Sequence, residues 1–384
     1  IVVLLQRKIN LGPVLFIDSV VLGVLFSLEP GKLVVAMARG VFSRDTFHIV
    51  FIMVSIMFFE NVLRKNGFLS LMLSSLKNLI GDYRVVMAII PPIIGLLPSA
   101  GGALFSAPMV NEADGGSGIT AEIKSFINYW YRHVWEYVFP FYPGVILATN
   151  LLDVKLTDYF IEMLPYTIAA ILVGIPAAFY GSPHKPKAES GNAKHSLKQL
   201  MLGLSPIMLI IALFFGLKLD VSLAVSIALI IVTIIKKYKM QDYIRLVKEG
   251  FSKSTVIMVI GVMVFKSVLE ATGAIQTLPQ NLAQIGIPPI AVIILLPFIT
   301  GLLTGITVAF VGISFPVLIA LGPVFNLEMA GLAYVSGFAG TMLSPTHLCF
   351  VLTVDFFKAN FNKVQLRVLA VETVILLMAW LRSL

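Results

Sequence analysis

Apolar residues along this chain come in long blocks, and the polar residues between them come in short clusters. A helix needs about 20 apolar residues to cross a bilayer, and blocks near that length predict spans at about 14–28, 47–63, 122–150, 158–180, 198–216, 219–235, 254–270, 328–355 and 364–383. A block at about 1–5, followed by Arg7 and Lys8, reads as the tail of a span whose start precedes Ile1; no cleavable signal peptide is visible. Two further apolar runs are broken in the middle by small polar residues. The run 91–110 is interrupted at Pro98, Ser99, Ala100, Gly101 and Gly102, and the run 297–316 at Thr304, Gly305, Ile306 and Thr307. With their flanks, 84–112 and 289–322, each suits two half-crossings of about 15 residues better than two full ones, which predicts re-entrant hairpins. The amphipathic stretches 68–80 and 275–285 read as helices lying along the interface.

The pattern occurs twice. Met57, Phe59, Val62, Leu63, Gly67, Pro91, Ile93, Gly95, Leu96, Leu97 and Ala103 are answered by Met263, Phe265, Val268, Leu269, Gly273, Pro297, Ile299, Gly301, Leu302, Leu303 and Ala309 in one gapless register. After a shift of three residues, Phe42, Ser43 and Thr46 match Phe251, Ser252 and Thr255. Such self-similarity is an internal duplication. The polar stretch 182–196 then separates a first repeat, 1–181, from a second, 197–384. Five crossings per repeat is an odd number, so the second copy must be inverted relative to the first. The expected fold is an all-α membrane protein of two inverted repeats, each with a re-entrant hairpin and a broken helix.

Composition changes the picture in one way: 58% hydrophobic residues, 12% charged and a mean hydropathy of +0.95 exclude a soluble globule. The net charge of +8 does not indicate nucleic acid, because the basic residues lie in short loops between apolar runs. With Arg7 and Lys8 in the cytoplasm, about 20 of the 28 Lys and Arg residues fall on the cytoplasmic side and about 6 outside. The first hairpin then opens from the cytoplasm and the second from outside, and their tips meet near the midplane of an inner or plasma membrane. Cys349, the single cysteine, lies in an apolar run and reads as a small buried hydrophobe.

Irregular backbone survives at mid-depth only where protein or a wet cavity surrounds it. Broken helices also aim free N–H groups and the positive end of the helix dipole into the gap, which suits an anion, while free carbonyls suit a small cation. The alternative is that Gly101, Gly102 and Gly305 only permit close packing. The span after each hairpin is interrupted too. The first carries Arg132, His133 and Glu136 before Pro140 and Pro143; the second carries Gly337, Gly340, Thr341, Ser344, Pro345, Thr346 and His347. Arg132 and Glu136, four apart, are expected on one helix face, able to pair. Arg132 suits a carboxylate or phosphate, and Glu136 or His133 a coupling proton. Either charge could instead only neutralise the other, and His347 could instead bond a free carbonyl. Asp18, Glu60, Lys266, Glu270, Asp355 and Glu372 are weaker candidates. No phosphate loop, HExxH, CxxC or GxSxG supports a soluble-type catalytic site.

Two repeats whose polar hairpin tips are followed by Ser106, Ala107, Pro108 and by Ser314, Phe315, Pro316, and then by broken spans, resemble the ion transporter superfamily. That group holds gluconate permeases, citrate transporters and dicarboxylate/sodium symporters. The stretch 97–110 and Ser344, Pro345, Thr346, His347 are most similar to an uncharacterised branch of integral membrane proteins within it. The resemblance implies a homodimer in which a scaffold domain stays still while a transport domain, carrying both hairpins and both broken spans, moves as an elevator. It also places substrate and ion contacts at Ser99, Ala100, Gly101, Gly102, Thr304, Gly305 and Thr307, with Na+ at Ser99, Thr304 and Thr307, beside Arg132, His133, Glu136, Thr341, Ser344, Thr346 and His347. The expected function is secondary transport of a small anion, an organic carboxylate, coupled to Na+ or H+, with no cofactor and no enzymatic activity. The competing expectations are a lipid pyrophosphate phosphatase using Arg132, Glu136, Ser99 and His347, and a carrier or channel for an inorganic oxyanion or ion.

Overall fold

The computed structural model describes residues 11–80, 82–96, 102–114, 118–180, 193–273, 284 and 286–384. Helices make up the whole architecture of these residues. The first half contains α1 (Leu11–Leu25), α2 (Pro30–Phe42), α3 (Arg44–Lys65), α4 (Phe68–Leu79), α5 (Tyr83–Gly95), α6 (Ala103–Asp114), α7 (Ala121–His133), α8 (Pro143–Leu152) and α9 (Leu156–Phe179). The second contains α10 (Ala193–Ile211), α11 (Val221–Ile235), α12 (Met240–Gly250), α13 (Lys253–Ala271), α14 (Pro289–Thr304), α15 (Thr307–Ile319), α16 (Leu327–Leu343), α17 (Leu348–Phe357) and α18 (Phe361–Arg382). Six helical stretches among the described residues are long and apolar enough to cross a membrane, so the chain is a multi-pass membrane protein.

Several of the residues shared by the two halves shape the backbone. Ser43 caps α3 by accepting from the Thr46 amide at 3.1 Å, and Ser252 caps α13 by accepting from the Thr255 amide at 3.3 Å. Gly67 and Gly273 both turn the chain after those helices in the left-handed region, at φ 70° and 71°, where a side chain would be strained. In α5 and α14, Gly95 and Gly301 let a neighbouring helix approach until a Cβ would lie 2.1 Å from the Arg132 or the Gly337 carbonyl oxygen.

Helix contacts in the two halves match as well. Helix α13 packs on α1 and α2, and α3 packs on α11 and α12. The second hairpin arm of each half reaches across to the other half: α6 packs on α17 and α15 on α8. The hairpin arms α5, α6, α14 and α15 hold 13, 12, 16 and 13 residues, about 18 to 24 Å at helical rise, short of the about 30 Å hydrocarbon core. Each arm is therefore too short to cross the core on its own.

The two broken spans form the core. Residues 125–133 of α7 and 330–343 of α16 are buried without interruption, as expected of helices surrounded by protein. Gly331, Gly337 and Gly340 along α16 let neighbours approach closely. By contrast, α9, α11 and α18 expose large apolar residues such as Ile161, Leu172, Ile234 and Leu377, a surface suited to lipid.

Three expectations need amending or bounding. Helices α2 and α12 occupy stretches read as loops; at 13 and 11 residues neither crosses a membrane alone, and α2 joins α3 in one apolar helical stretch, Pro30–Lys65. The interfacial helix expected at 68–80 is present as α4, whereas its counterpart at 275–285 lies almost wholly outside the described residues. The linker expected at 182–196 is outside them up to residue 192, and its last residues already belong to α10.

Candidate functional site

The interruptions of the broken spans are where the two halves meet. Helix α7 stops at His133, and the chain turns irregularly until Pro143 starts α8. Helix α16 stops at Leu343 and α17 begins at Leu348, leaving Ser344, Pro345, Thr346 and His347 unwound. Such backbone needs internal partners in a membrane. Thr167 donates to the Val134 carbonyl at 3.0 Å, and Tyr334 donates to the Glu136 carbonyl at 2.8 Å. The spare carbonyls at the end of α5 are taken from the same break, Pro92 O by Trp135 Nε1 at 3.0 Å and Gly95 O by the Tyr142 hydroxyl.

Glu136 lies inside the first break, so the four-residue spacing from Arg132 does not place the two on one helical face. The helix that would carry that face ends three residues before Glu136. Its carboxylate instead joins the halves. Thr307, the first residue of α15, donates its hydroxyl to Glu136 Oε2 at 2.9 Å, and Glu136 Oε1 lies 3.8 Å from His133 Nε2. A carboxylate is thereby held at the positive end of the α15 dipole. Arg132, His133 and Glu136 are all buried, at 2%, 1% and 7% exposure, which marks this as ionisable chemistry placed in the interior.

The second hairpin tip closes against the second break. Gly305 ends α14 at φ 64°, and a Cβ there would meet the His347 amide at 2.9 Å and the Ser344 and Thr346 hydroxyls at 3.0 Å. His347 Nδ1 faces the Gly305 carbonyl at 2.9 Å, so this histidine does bond a free helix-end carbonyl. Its Nε2 lies 3.2 Å from His133 Nε2. Thr304 donates to Thr300 O at 2.8 Å, Thr341 donates to Gly337 O at 3.0 Å, and the Ser344 and Thr346 hydroxyls are 2.9 Å apart. With their protons spoken for, the Thr304 and Thr307 hydroxyls keep oxygen lone pairs of the kind a small cation needs. Gly102 is buried at the start of α6, while Ser99, Ala100 and Gly101 lie outside the described residues.

The structure thus gathers Glu136, Thr307, His133, His347, Gly305 and Ser344 into one region. Sequence reasoning missed three members. Tyr129 packs edge-on against both histidine rings, with centroids 4.8 and 5.5 Å away. Tyr334 holds the first break, and Cys349 lies with its sulfur beside His133 and His347. No spacing in the sequence could have signalled the Cys349 contact with His133, which joins residues more than two hundred positions apart. Among the weaker candidates, Glu372 is fully buried with the Tyr137 hydroxyl 3.4 Å from its carboxylate, whereas Glu270 and Asp355 are exposed.

A cavity of about 1140 Å³ opens on the face that the charge count assigns to the outside. It is lined by α3, α8, the start of α9 and the turn before it, the turn before α11, and α13, with Asp45, Asp153, Asp158 and Asp220 facing Lys155, Lys218 and Lys266. None of the described residues of the Glu136 cluster lines it.

A search of curated proteins finds no match. Among solved structures, the fold is similar to that of the YdaH transporter of Alcanivorax borkumensis, with a TM-score of 0.66 and 14% identity, covering 91% of this chain and 87% of that one. At that identity the likeness speaks for the fold, and it agrees with the helical, membrane-spanning architecture described above. A family model matches residues 1–384 throughout, and the chain therefore belongs to the family described as "Protein of unknown function (DUF401)".

Proposed function

We propose that this protein is a secondary active transporter of a small anion, an organic carboxylate, driven by H+ or Na+. The observation that carries this reading is the Thr307–Glu136 contact, which sets a buried carboxylate from one half at the helix N-terminus of the other half's hairpin. A helix N-terminus between two packed half-crossings is an anion site, and Glu136 holds it in the present conformation. An anionic substrate must compete with that carboxylate. Protonation of Glu136 removes the competition, so proton and substrate enter together. Sodium coupling is the variant reading, with the Thr304 and Thr307 hydroxyls as oxygen ligands and Ser99 as a third. In this reading the two halves are inverted repeats, and the hairpins and broken spans move as one elevator body in each protomer of a homodimer.

Saturable counterflow of a carboxylate in proteoliposomes, stimulated by an inward proton gradient, is the expected result. Phosphate release from a lipid pyrophosphate by the purified protein would instead favour the enzyme reading, and ohmic current a channel. Glu136→Gln keeps an acceptor for Thr307 and is expected to fold, to retain substrate exchange and to lose acceleration by the proton gradient. Gradient-driven uptake at the wild-type rate in that variant would move the coupling proton elsewhere.

The inverted arrangement makes its own prediction. In a background lacking Cys349, single cysteines at Ser190 and Asp153 should react with an impermeant thiol reagent from opposite sides of the membrane, Ser190 from the cytoplasm. Labelling of both from one side would exclude inversion.

A further inference from the structure

His133, His347 and Cys349 bring three donor atoms within 4.8 Å of one another in the protein interior, with exposures of 1%, 8% and 6%. The two histidines meet in a way that hydrogen bonding between neutral rings does not explain. His133 Nδ1 lies 2.6 Å from the Tyr129 carbonyl oxygen, and His347 Nδ1 lies 2.9 Å from the Gly305 carbonyl oxygen. A carbonyl only accepts, so each Nδ1 carries its ring's proton. Each Nε2 is then a bare lone pair, and the two lone pairs face one another at 3.2 Å. A thiol proton from Cys349 could satisfy one of them and not both. An electrophile between the rings removes the conflict.

We propose that His133 Nε2, His347 Nε2 and Cys349 Sγ form a binding site for a soft or borderline transition-metal ion of the Zn2+ class, tying the first broken span to the second. Tetrahedral coordination at metal–nitrogen distances of about 2.0 to 2.1 Å separates two nitrogen ligands by about 3.3 Å, close to the separation found. Bringing the sulfur to its own bond length takes about 1 Å of side-chain adjustment. The orientation of the rings is the second argument. Metal-ligating histidines characteristically donate their other N–H to a carboxylate or backbone carbonyl, which fixes the ring and raises its basicity. Both histidines have that partner already. Two imidazoles and one thiolate select Zn2+ or Cu+ over Mg2+ or Ca2+, which take oxygen donors. The Glu136 carboxylate, 3.8 Å from His133 Nε2, balances the ion's charge or completes its shell.

The site concerns ion binding by the folded chain and stands whether or not the protein carries carboxylates. The test uses untagged, detergent-purified protein, with Zn2+ and Co2+ as probes. Wild type is expected to retain one equivalent of Zn2+ after desalting. With Co2+ it should show a thiolate-to-metal charge-transfer absorption, which reports the sulfur bond directly. Cys349→Ser, close in size, should lose that absorption and bind Zn2+ at least about tenfold more weakly, and His347→Gln should weaken binding in the same range. Retention of no stoichiometric metal by the wild type overturns the site and leaves a shared proton as the account of the facing lone pairs. Binding and absorption that persist in Cys349→Ser overturn it equally, by placing the metal elsewhere.

Discussion

Gly301→Leu is expected to prevent assembly of the folded protein, and Gly301→Ala to destabilise it by about 3 kcal/mol. The cause is backbone against backbone. A Cβ on Gly301 would sit 2.1 Å from the Gly337 carbonyl oxygen and 2.9 Å from the Thr341 amide nitrogen, so no rotamer change makes room and α14 must move away from α16. That movement would also loosen the Gly305 tip from His347. Gly95→Ala should behave likewise, because its Cβ would lie 2.1 Å from the Arg132 carbonyl oxygen. Gly31→Ala is the control: nothing lies within 4 Å of a Cβ there, and helix propensity predicts no loss and a gain of up to about 1 kcal/mol. Unfolding by heat or by SDS titration reads the three alanine variants. A Gly301→Ala protein as stable as wild type would mean that the two helices do not approach this closely.

Those glycines illustrate what a single sequence can disclose. Gly95 and Gly301, Gly67 and Gly273, and the capping serines Ser43 and Ser252 were visible as repeated residues because each answers a local backbone demand that recurs in the second half. Hairpin length was visible for a similar reason: the polar tips interrupt apolar runs too short to cross twice. Helices α2 and α12 were not, since each is shorter than a span and carries charged residues that read as the ends of neighbouring spans. The pairing of Arg132 with Glu136 was expected from a helical period that ends at His133. Where the unwound chain begins depends on Thr167 and Tyr334, side chains from α9 and α16 that capture the freed carbonyls. Cys349 carried the signal of a buried apolar residue, and only the crossing of the two broken spans sets it beside the histidines. Tertiary contacts of that range leave no periodicity behind.

Arg132→Ala is expected to cost about 3 to 5 kcal/mol of stability where Arg132 is the charge that balances the buried Glu136 carboxylate across the first break, since that carboxylate would be left alone in the interior. Loss of substrate binding in that variant alone would therefore say nothing about Arg132 as a ligand for the substrate. The informative comparison is with Arg132→Ala combined with Glu136→Gln, which leaves neither charge, and the readout is substrate exchange or thermal stabilisation by substrate, neither of which needs the coupling proton. The double variant should recover most of the lost stability, since the amide oxygen introduced by Glu136→Gln can still accept from Thr307. Recovered folding with binding still lost would make Arg132 the counter-charge of the anionic substrate. If the double variant folds and binds as tightly as Glu136→Gln alone, Arg132 serves packing, and the anion is held by the N-terminus of α15 without it. Thr307→Ala separates these cases further. It removes a hydrogen bond to a charged group, worth about 1.5 to 3 kcal/mol, and frees the Glu136 carboxylate from the hairpin. Where Glu136 competes with the substrate for that helix end, Thr307→Ala should tighten or preserve anion binding even as stability falls; a parallel loss of both would show that the contact only braces the two halves.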